Sequence, residues 1–170
     1  RLALTVFLCA GTLAGSDPAT FSLSTRTLEP YTRTYLGNGY FSLVSSQLAT
    51  KPRESYMIRV YDHFVDDVPR IGRLPAWNEV DFHNGVGWLI DVQASPGVVR
   101  NYSQTLDMYN GGLETAYEWV DQDRISSIRV HAFVSRSNQH LGVIKFSVTP
   151  AFSGPVKILL PIRPWKAPSR

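Results

Sequence analysis

The stretch Leu113-Glu114-Thr115-Ala116-Tyr117-Glu118-Trp119 puts Leu113, Thr115, Tyr117 and Trp119 on one side of an extended chain and Glu114 and Glu118 on the other. Successive side chains of a strand point to opposite faces, so a period of two specifies a strand with one buried face and one wet face. The same period recurs in Ile128, Val130, Ala132 and Val134, and in Ile144, Phe146 and Val148, which alternate with Lys145 and Ser147. Helical periodicity is almost absent. Asn110-Gly111-Gly112 and Asp121-Gln122-Asp123 supply turn residues between these runs and predict two hairpins.

Other runs extend the pattern. Tyr40, Ser42 and Val44 alternate with Phe41, Leu43 and Ser45, and Tyr56, Ile58 and Val60 follow. Gly85 and Gly87 bracket the entry to an expected strand through Trp88, Leu89, Ile90 and Val92, and a last strand, Val156 to Leu160, follows the turn Ser153-Gly154-Pro155. So many apolar faces at short, regular spacing need a second layer to cover them. The expected fold is therefore all-β, an antiparallel β-sandwich or barrel. Composition agrees: 12 Gly, 11 Pro and only 18% charged residues favour strands joined by turns, and 44% hydrophobic content in 170 residues fills one core.

The amino-terminal end reads differently. Arg1 precedes the apolar run Leu2 to Leu8, followed by the small-residue stretch Cys9 to Gly15 and then polar Ser16, Asp17 and Pro18. This is a secretory signal pattern, too short for the roughly 20 residues of a membrane span. Residues 1–15 are expected to be a signal peptide, seen in part because the chain starts with Arg1, with Thr12 and Ala14 as small residues of a cleavage site. Export to the periplasm or the outside is the corresponding expectation. Cys9 is the only cysteine; bulky Phe7 and Leu8 before it argue against acylation. A mature domain without cysteines must be held by its core alone.

The net charge is +3, with 17 Lys and Arg scattered along the chain and nowhere four in a row with interleaved aromatics. Nucleic acid is therefore not an expected partner. Glu79, Asp81 and His83 stand at alternate positions, so an extended chain projects all three from one face. Alternate positions are roughly 6 to 7 Å apart, near the lower end of the carboxylate separation in inverting glycosidases, about 6.5 to 9.5 Å. Val80 and Phe82 fill the opposite face, so the plain reading, a strand with a polar solvent side, is preferred over catalysis or metal binding. Asp62, His63, Asp66 and Asp67 lack the Gly and terminal Glu of a calcium loop and read as a solvated turn before Pro69. Asn101-Tyr102-Ser103 fits a glycosylation acceptor. Tyr31, Tyr35, Tyr40, Trp77, Trp88 and Trp119 offer flat faces for sugar rings, although core packing is the commoner role and the alternation assigns it to Trp119. The candidates retained for carbohydrate contact are Tyr35, Asn38, Tyr40 and Trp77.

Tyr35-Leu36-Gly37-Asn38-Gly39-Tyr40 forms a tight turn into the first confident strand, and it resembles the opening of the N-terminal domain of glycoside hydrolase family 65. Leu106-Asp107-Met108-Tyr109-Asn110-Gly111 is similar to that family's Leu-Asp-Met strand end and turn. Phe133-Val134-Ser135-Arg136 with His140-Leu141 resembles its next strand pair, and Tyr61-Asp62 and Leu74-Pro75-Ala76-Trp77-Asn78 fit as well. The likeness covers Thr34 to Pro161. The family includes maltose, trehalose and kojibiose phosphorylases, acid trehalases and the glucosidases that trim glucosylgalactosyl hydroxylysine.

The resemblance implies a supersandwich-like domain packed against a helical (α/α) barrel that follows it. In that barrel a Glu acts as general acid with inversion at the sugar carbon; hydrolases add a carboxylate that activates water, and phosphorylases let phosphate attack. None of those positions matches a residue here, so no catalytic residue, metal or cofactor is expected. The phosphorylase pattern often has Arg after Leu-Asp-Met, where Tyr109 stands. Export also favours hydrolysis, because a sugar phosphate is useful only inside a cell. The expected parent is a secreted inverting glycosidase acting on α-glucosides, with the barrel as this domain's partner and a homodimer left open. The expected division is signal peptide 1–15, polar lead-in 16–33, sandwich 34–161 and the start of a linker at 162–170. The alternatives are a stand-alone carbohydrate-binding module and a domain of a disaccharide phosphorylase.

Overall fold

The computed structural model describes residues 21–51, 55–63 and 69–162. The expected signal peptide with Cys9, the Asp66 and Asp67 half of the acidic cluster, and the tail beyond Ile162 lie outside them. The described chain is all-β and antiparallel. In chain order its strands are β1 (Ser22–Thr25), β2 (Tyr35–Gly37), β3 (Phe41–Val44), β4 (Ser55–His63), β5 (Pro69–Leu74), β6 (Asp81–His83), β7 (Val99–Asp107), β8 (Gly112–Asp121), β9 (Arg124–Val134), β10 (Gly142–Pro150) and β11 (Lys157–Leu159). They form a five-stranded sheet in the order β1-β7-β8-β9-β10, a four-stranded sheet β2-β3-β4-β5, and a β11-β6 pair.

The five-stranded sheet follows the alternation. Leu113, Thr115, Tyr117 and Trp119 of β8 and Ile128, Val130, Ala132 and Val134 of β9 are all buried. Register aligns the rows, with Leu113 opposite Ala132 and Thr115 opposite Val130. The β8–β9 hairpin closes through Gln122 and Asp123, because Asp121 pairs with Arg124. Two different layers cover this inner face. At one end the four-stranded sheet packs Leu36 and Leu43 against Leu113, Ala132 and Val134. At the other end Phe82, Leu89, Val92, Leu48 and Ala49 close over Tyr117, Trp119, Ile128 and Val130.

The second cover includes irregular backbone, whose polar groups must find partners when buried. Inward-facing sheet hydroxyls provide them: Tyr102 donates to the Gln47 carbonyl at 2.9 Å and Tyr117 to that of Leu48 at 3.2 Å. Gln104 donates to the Ser46 carbonyl at 3.3 Å and to Thr115 Oγ1 at 3.0 Å, a buried polar row between the two apolar clusters.

Three expectations change. The polar lead-in contributes β1, paired with β7 from Ser22 opposite Asp107 to Thr25 opposite Gln104. The expected strand through Trp88 to Val92 is a short 3-10 turn, Leu89–Asp91. Both Leu89 and Val92 point into the core, which a turn allows and a strand one pleat apart would not. In β4, Ile58 and Val60 are exposed instead of covered.

Candidate functional site

Three of the motifs that carry the family resemblance, Tyr35–Tyr40, Leu106–Gly111 and Phe133–Arg136 with His140, meet at one end of the sandwich. β2 and β3 are joined by Asn38, Gly39 and Tyr40, and Gly39 adopts φ +87°, the left-handed conformation that glycine enters without strain. The Asn38 side chain then does four things. Its Oδ1 accepts from the Tyr40 and Phe41 amides at 2.9 and 3.0 Å, closing the corner. Its Nδ2 donates to the Ser135 and Gln139 carbonyls at 2.7 and 3.0 Å, tying the corner to the β9–β10 loop of the other sheet. Tyr40 meets His140 of that loop edge-on at 4.4 Å.

Beside this corner β7 ends in a second constrained turn. Asp107 Oδ1 accepts from the Tyr109 and Asn110 amides, both at 3.0 Å, and Oδ2 accepts from Asn110 Nδ2 at 2.6 Å. The side-chain bond from Asn110, with the backbone bonds added, holds the Asp107 carboxyl below the usual carboxylate range. A turn fixed in this way sends Met108 and Tyr109 outward into solvent. The Phe21 ring stands 6.4 Å from Tyr109, tilted by 38°. Between turn and corner lies an open cleft of about 670 Å³, with Tyr35, Met108, Tyr109, Asn110, Phe133 and Arg136 among its walls.

The four carbohydrate candidates fare differently. Tyr35 is exposed on the cleft. Asn38 is committed to the corner. Tyr40 is half-buried against His140. Trp77 is half-buried, edge-on to Phe41 at 5.7 Å, with its indole N–H donating to Ser55 Oγ at 3.1 Å. Gly142 allows that pair to sit against β10, since a Cβ there would stand 2.8 Å from both rings. Of the other aromatics, Trp119 is core, Trp88 packs on His83 at 4.7 Å, and Tyr31 bonds Ser45 Oγ at 2.7 Å. Tyr109 belongs to the Leu106–Gly111 motif and marks a departure from a phosphorylase pattern, but it is not among the carbohydrate candidates read from the sequence. The available signal was Met-Tyr placed directly between a strand end and Asn-Gly, where neither side chain has a sheet to face.

The polar solvent side expected for Glu79, Asp81 and His83 is not what the structure shows. Glu79 and Asp81 are buried, as are Val80 and Phe82 on the opposite face. The strand is short and packed into the body, so both of its faces are covered. Asp81 Oδ1 accepts from the Phe82 and Ile90 amides at 2.9 and 3.0 Å and so holds the 3-10 turn in place. His83 Nδ1 accepts from the Gly85 amide at 2.9 Å. These are architectural tasks. Asn101 is exposed and donates to Glu118 Oε2 at 2.9 Å. Among the described residues, no three of His, Cys, Asp and Glu lie together as a metal site would require. No helix among them is long and apolar enough to cross a membrane.

A second depression, of about 700 Å³, lies on the wet face of the five-stranded sheet, with Glu114, Glu118, Arg129, His131 and Lys145 among its walls. No exposed Tyr, Trp or Phe lines it. Its Arg129–Glu114 ion pair, 3.6 Å apart and open to water, contributes little to stability.

Comparison with known proteins agrees with the geometry. Among curated proteins no sequence matches. A solved structure described as "Putative kojibiose phosphorylase from human microbiome" superposes with a TM-score of 0.57 at 13% identity, which is a likeness of fold. The match covers 73% of this chain and 18% of that one, so the chain spans less than a fifth of that protein's length. The family model for the glycosyl hydrolase family 65 N-terminal domain matches residues 29–162. That range contains the corner, the cleft turn and both covering layers, and the chain belongs to glycosyl hydrolase family 65 as its N-terminal domain.

Proposed function

We propose that this domain is the non-catalytic N-terminal part of a secreted, inverting glycosidase acting on α-glucosides, joined in the intact protein to a catalytic (α/α) barrel. The observation that carries the reading is the family match across residues 29–162 to a domain that is N-terminal in its family. The chemistry of the chain is consistent with a supporting role. The carboxylates spaced for acid–base work, Glu79 and Asp81, are buried, and Asp81 is bound to backbone amides that fix a turn. Hydrolysis is favoured over phosphorolysis by the signal-like amino terminus and by Tyr109 at the position where phosphorylases often carry Arg.

The test compares the chain alone with the chain joined to the barrel encoded by its parent gene. Alone, it releases no glucose from trehalose, kojibiose or maltose. Joined, it releases glucose without added phosphate, and polarimetry shows the β-anomer first, as inversion of an α-glucoside demands. Glucose 1-phosphate formed only with phosphate would make the parent a phosphorylase. Activity of the chain alone, or a parent gene with no barrel, would refute the reading. Mass analysis of the exported protein would show a new amino terminus near residue 15.

A further inference from the structure

We propose that the cleft between Tyr35 and the Asp107–Gly111 turn is a carbohydrate contact surface that takes α-linked glucosyl units. The choice of the α-glucosyl class rests on the function proposed above; the choice of a carbohydrate rests on the cleft itself. A pyranose ring has an apolar C–H face and a rim of hydroxyls, so it needs an aromatic plane beside fixed hydrogen-bonding groups. Both are present. Tyr35 and Tyr109 are 63% and 60% exposed, whereas Tyr102, Tyr117, Trp119 and Phe82 are sealed in the core.

The two phenols sit on constrained backbone. Tyr35 lies in β2 opposite Val44, and the Tyr109 amide is bonded to Asp107. The Asp107 carboxylate, held ionised by Asn110, keeps lone pairs for a sugar hydroxyl. The Asn110 amide oxygen is a second acceptor, and Arg136 brings a fork of donors. A cleft of about 670 Å³ falls within the usual range for small-ligand sites, about 300 to 1,000 Å³. The wet-face depression has similar volume, but its one aromatic neighbour, Tyr117, is buried, so it offers a sugar ring no exposed aromatic plane.

The experiment is a titration of the isotopically labelled chain with maltose, maltotriose, kojibiose and trehalose, followed by amide chemical shifts. Cellobiose and inorganic phosphate serve as controls. The expected result is weak binding, with a Kd on the order of 1 mM, and shifts confined to Tyr35–Gly37, Asp107–Gly111 and Ser135–Ser137. Tyr35→Ala and Tyr109→Ala each weaken it about tenfold, Tyr35→Phe retains it because the ring plane survives, and Ile58→Ala leaves it unchanged. Preserved shift dispersion shows that each variant is folded.

No shifts with any α-glucoside, or shifts indifferent to both tyrosine substitutions, would overturn the proposal. So would tyrosine variants that leave sugar binding intact while abolishing association with the barrel, since the cleft would then be a docking surface. Failure here with an active joined enzyme removes only the contact surface. Sugar binding here with an inactive joined enzyme removes only the proposed function.

Discussion

The β8–β9 hairpin and the β4–β5 hairpin are both long and rich in apolar residues, yet they bury them very differently. In β8 and β9 every second residue enters the core, and the alternation holds from Leu113 to Trp119 and from Ile128 to Val134. In β4 and β5 the apolar side chains Ile58, Val60, Tyr61 and Ile71 are exposed. The difference lies in the neighbours. β8 and β9 are central, flanked by β7 and β10, and two layers cover their inner face. β3 pairs with β4 only at Ser55, Tyr56 and Met57, and after one more bond, from the Ile58 amide to the Tyr40 carbonyl at 2.8 Å, β4 continues with β5 alone. A register irregularity between Tyr56 and Tyr61, with Arg59 at φ +66°, turns that part of the ribbon away from its own pattern. A period of two thus predicts burial only where a second layer is there to receive it.

The largest expected effect separates the two hairpins directly. Trp119→Ala removes a side chain buried between Phe82 and Val99 and is expected to cost about 3 to 5 kcal/mol in denaturant unfolding. Ile58→Ala is expected to cost less than about 0.5 kcal/mol in the same assay. Equal losses would break the contrast. Next in size, Asn38→Ala leaves two carbonyls and two amides without their partners and is expected to cost about 2 kcal/mol. Asn38→Asp keeps the accepting oxygen but loses both donated bonds, so the two variants measure separately the closing of the corner and its attachment to the far sheet.

A pH experiment probes the buried side alone. Burial raises the Tyr117 phenol above its ordinary 10.0, and its hydroxyl donates to the Leu48 carbonyl. A group whose folded pKa lies above its unfolded value contributes fully below the unfolded value and is lost as pH rises past it. Urea midpoints should therefore hold up to about pH 10 and drop above it, by about 1 kcal/mol at pH 11 for this group. Tyr117→Phe should flatten that slope. The smallest expected change is Ile71→Ser, within about 0.5 kcal/mol of the parent but with less self-association on concentration, read by light scattering.

Much of the five-stranded sheet was legible because its signals are local. Alternation names the face, and Asn110-Gly111-Gly112 and Asp121-Gln122-Asp123 name the hairpins. The family resemblance was legible for a related reason: its motifs fall at strand ends and turns, where backbone geometry restricts the residue. The site was legible only in part. Tyr35 reads as an aromatic near a turn, but its exposure depends on which loops stand beside it. Asn38 reads as a sugar-contact candidate until the Ser135 and Gln139 carbonyls, roughly a hundred residues away, are seen to occupy its amide. Asp81 reads as solvated because Val80 and Phe82 alternate with it, and nothing local reveals that both of its faces are covered.

By itself the sequence determined the all-β class, the strands of the large sheet and their hairpins, because side-chain direction in an extended chain follows from position along it. Only the tertiary structure decided which apolar faces are covered, that Glu79 and Asp81 lie inside, and that the β2–β3 corner, the Asp107 turn and the Arg136 loop border one cleft. Those outcomes depend on contacts between segments far apart in the chain, and no local period encodes how distant segments meet.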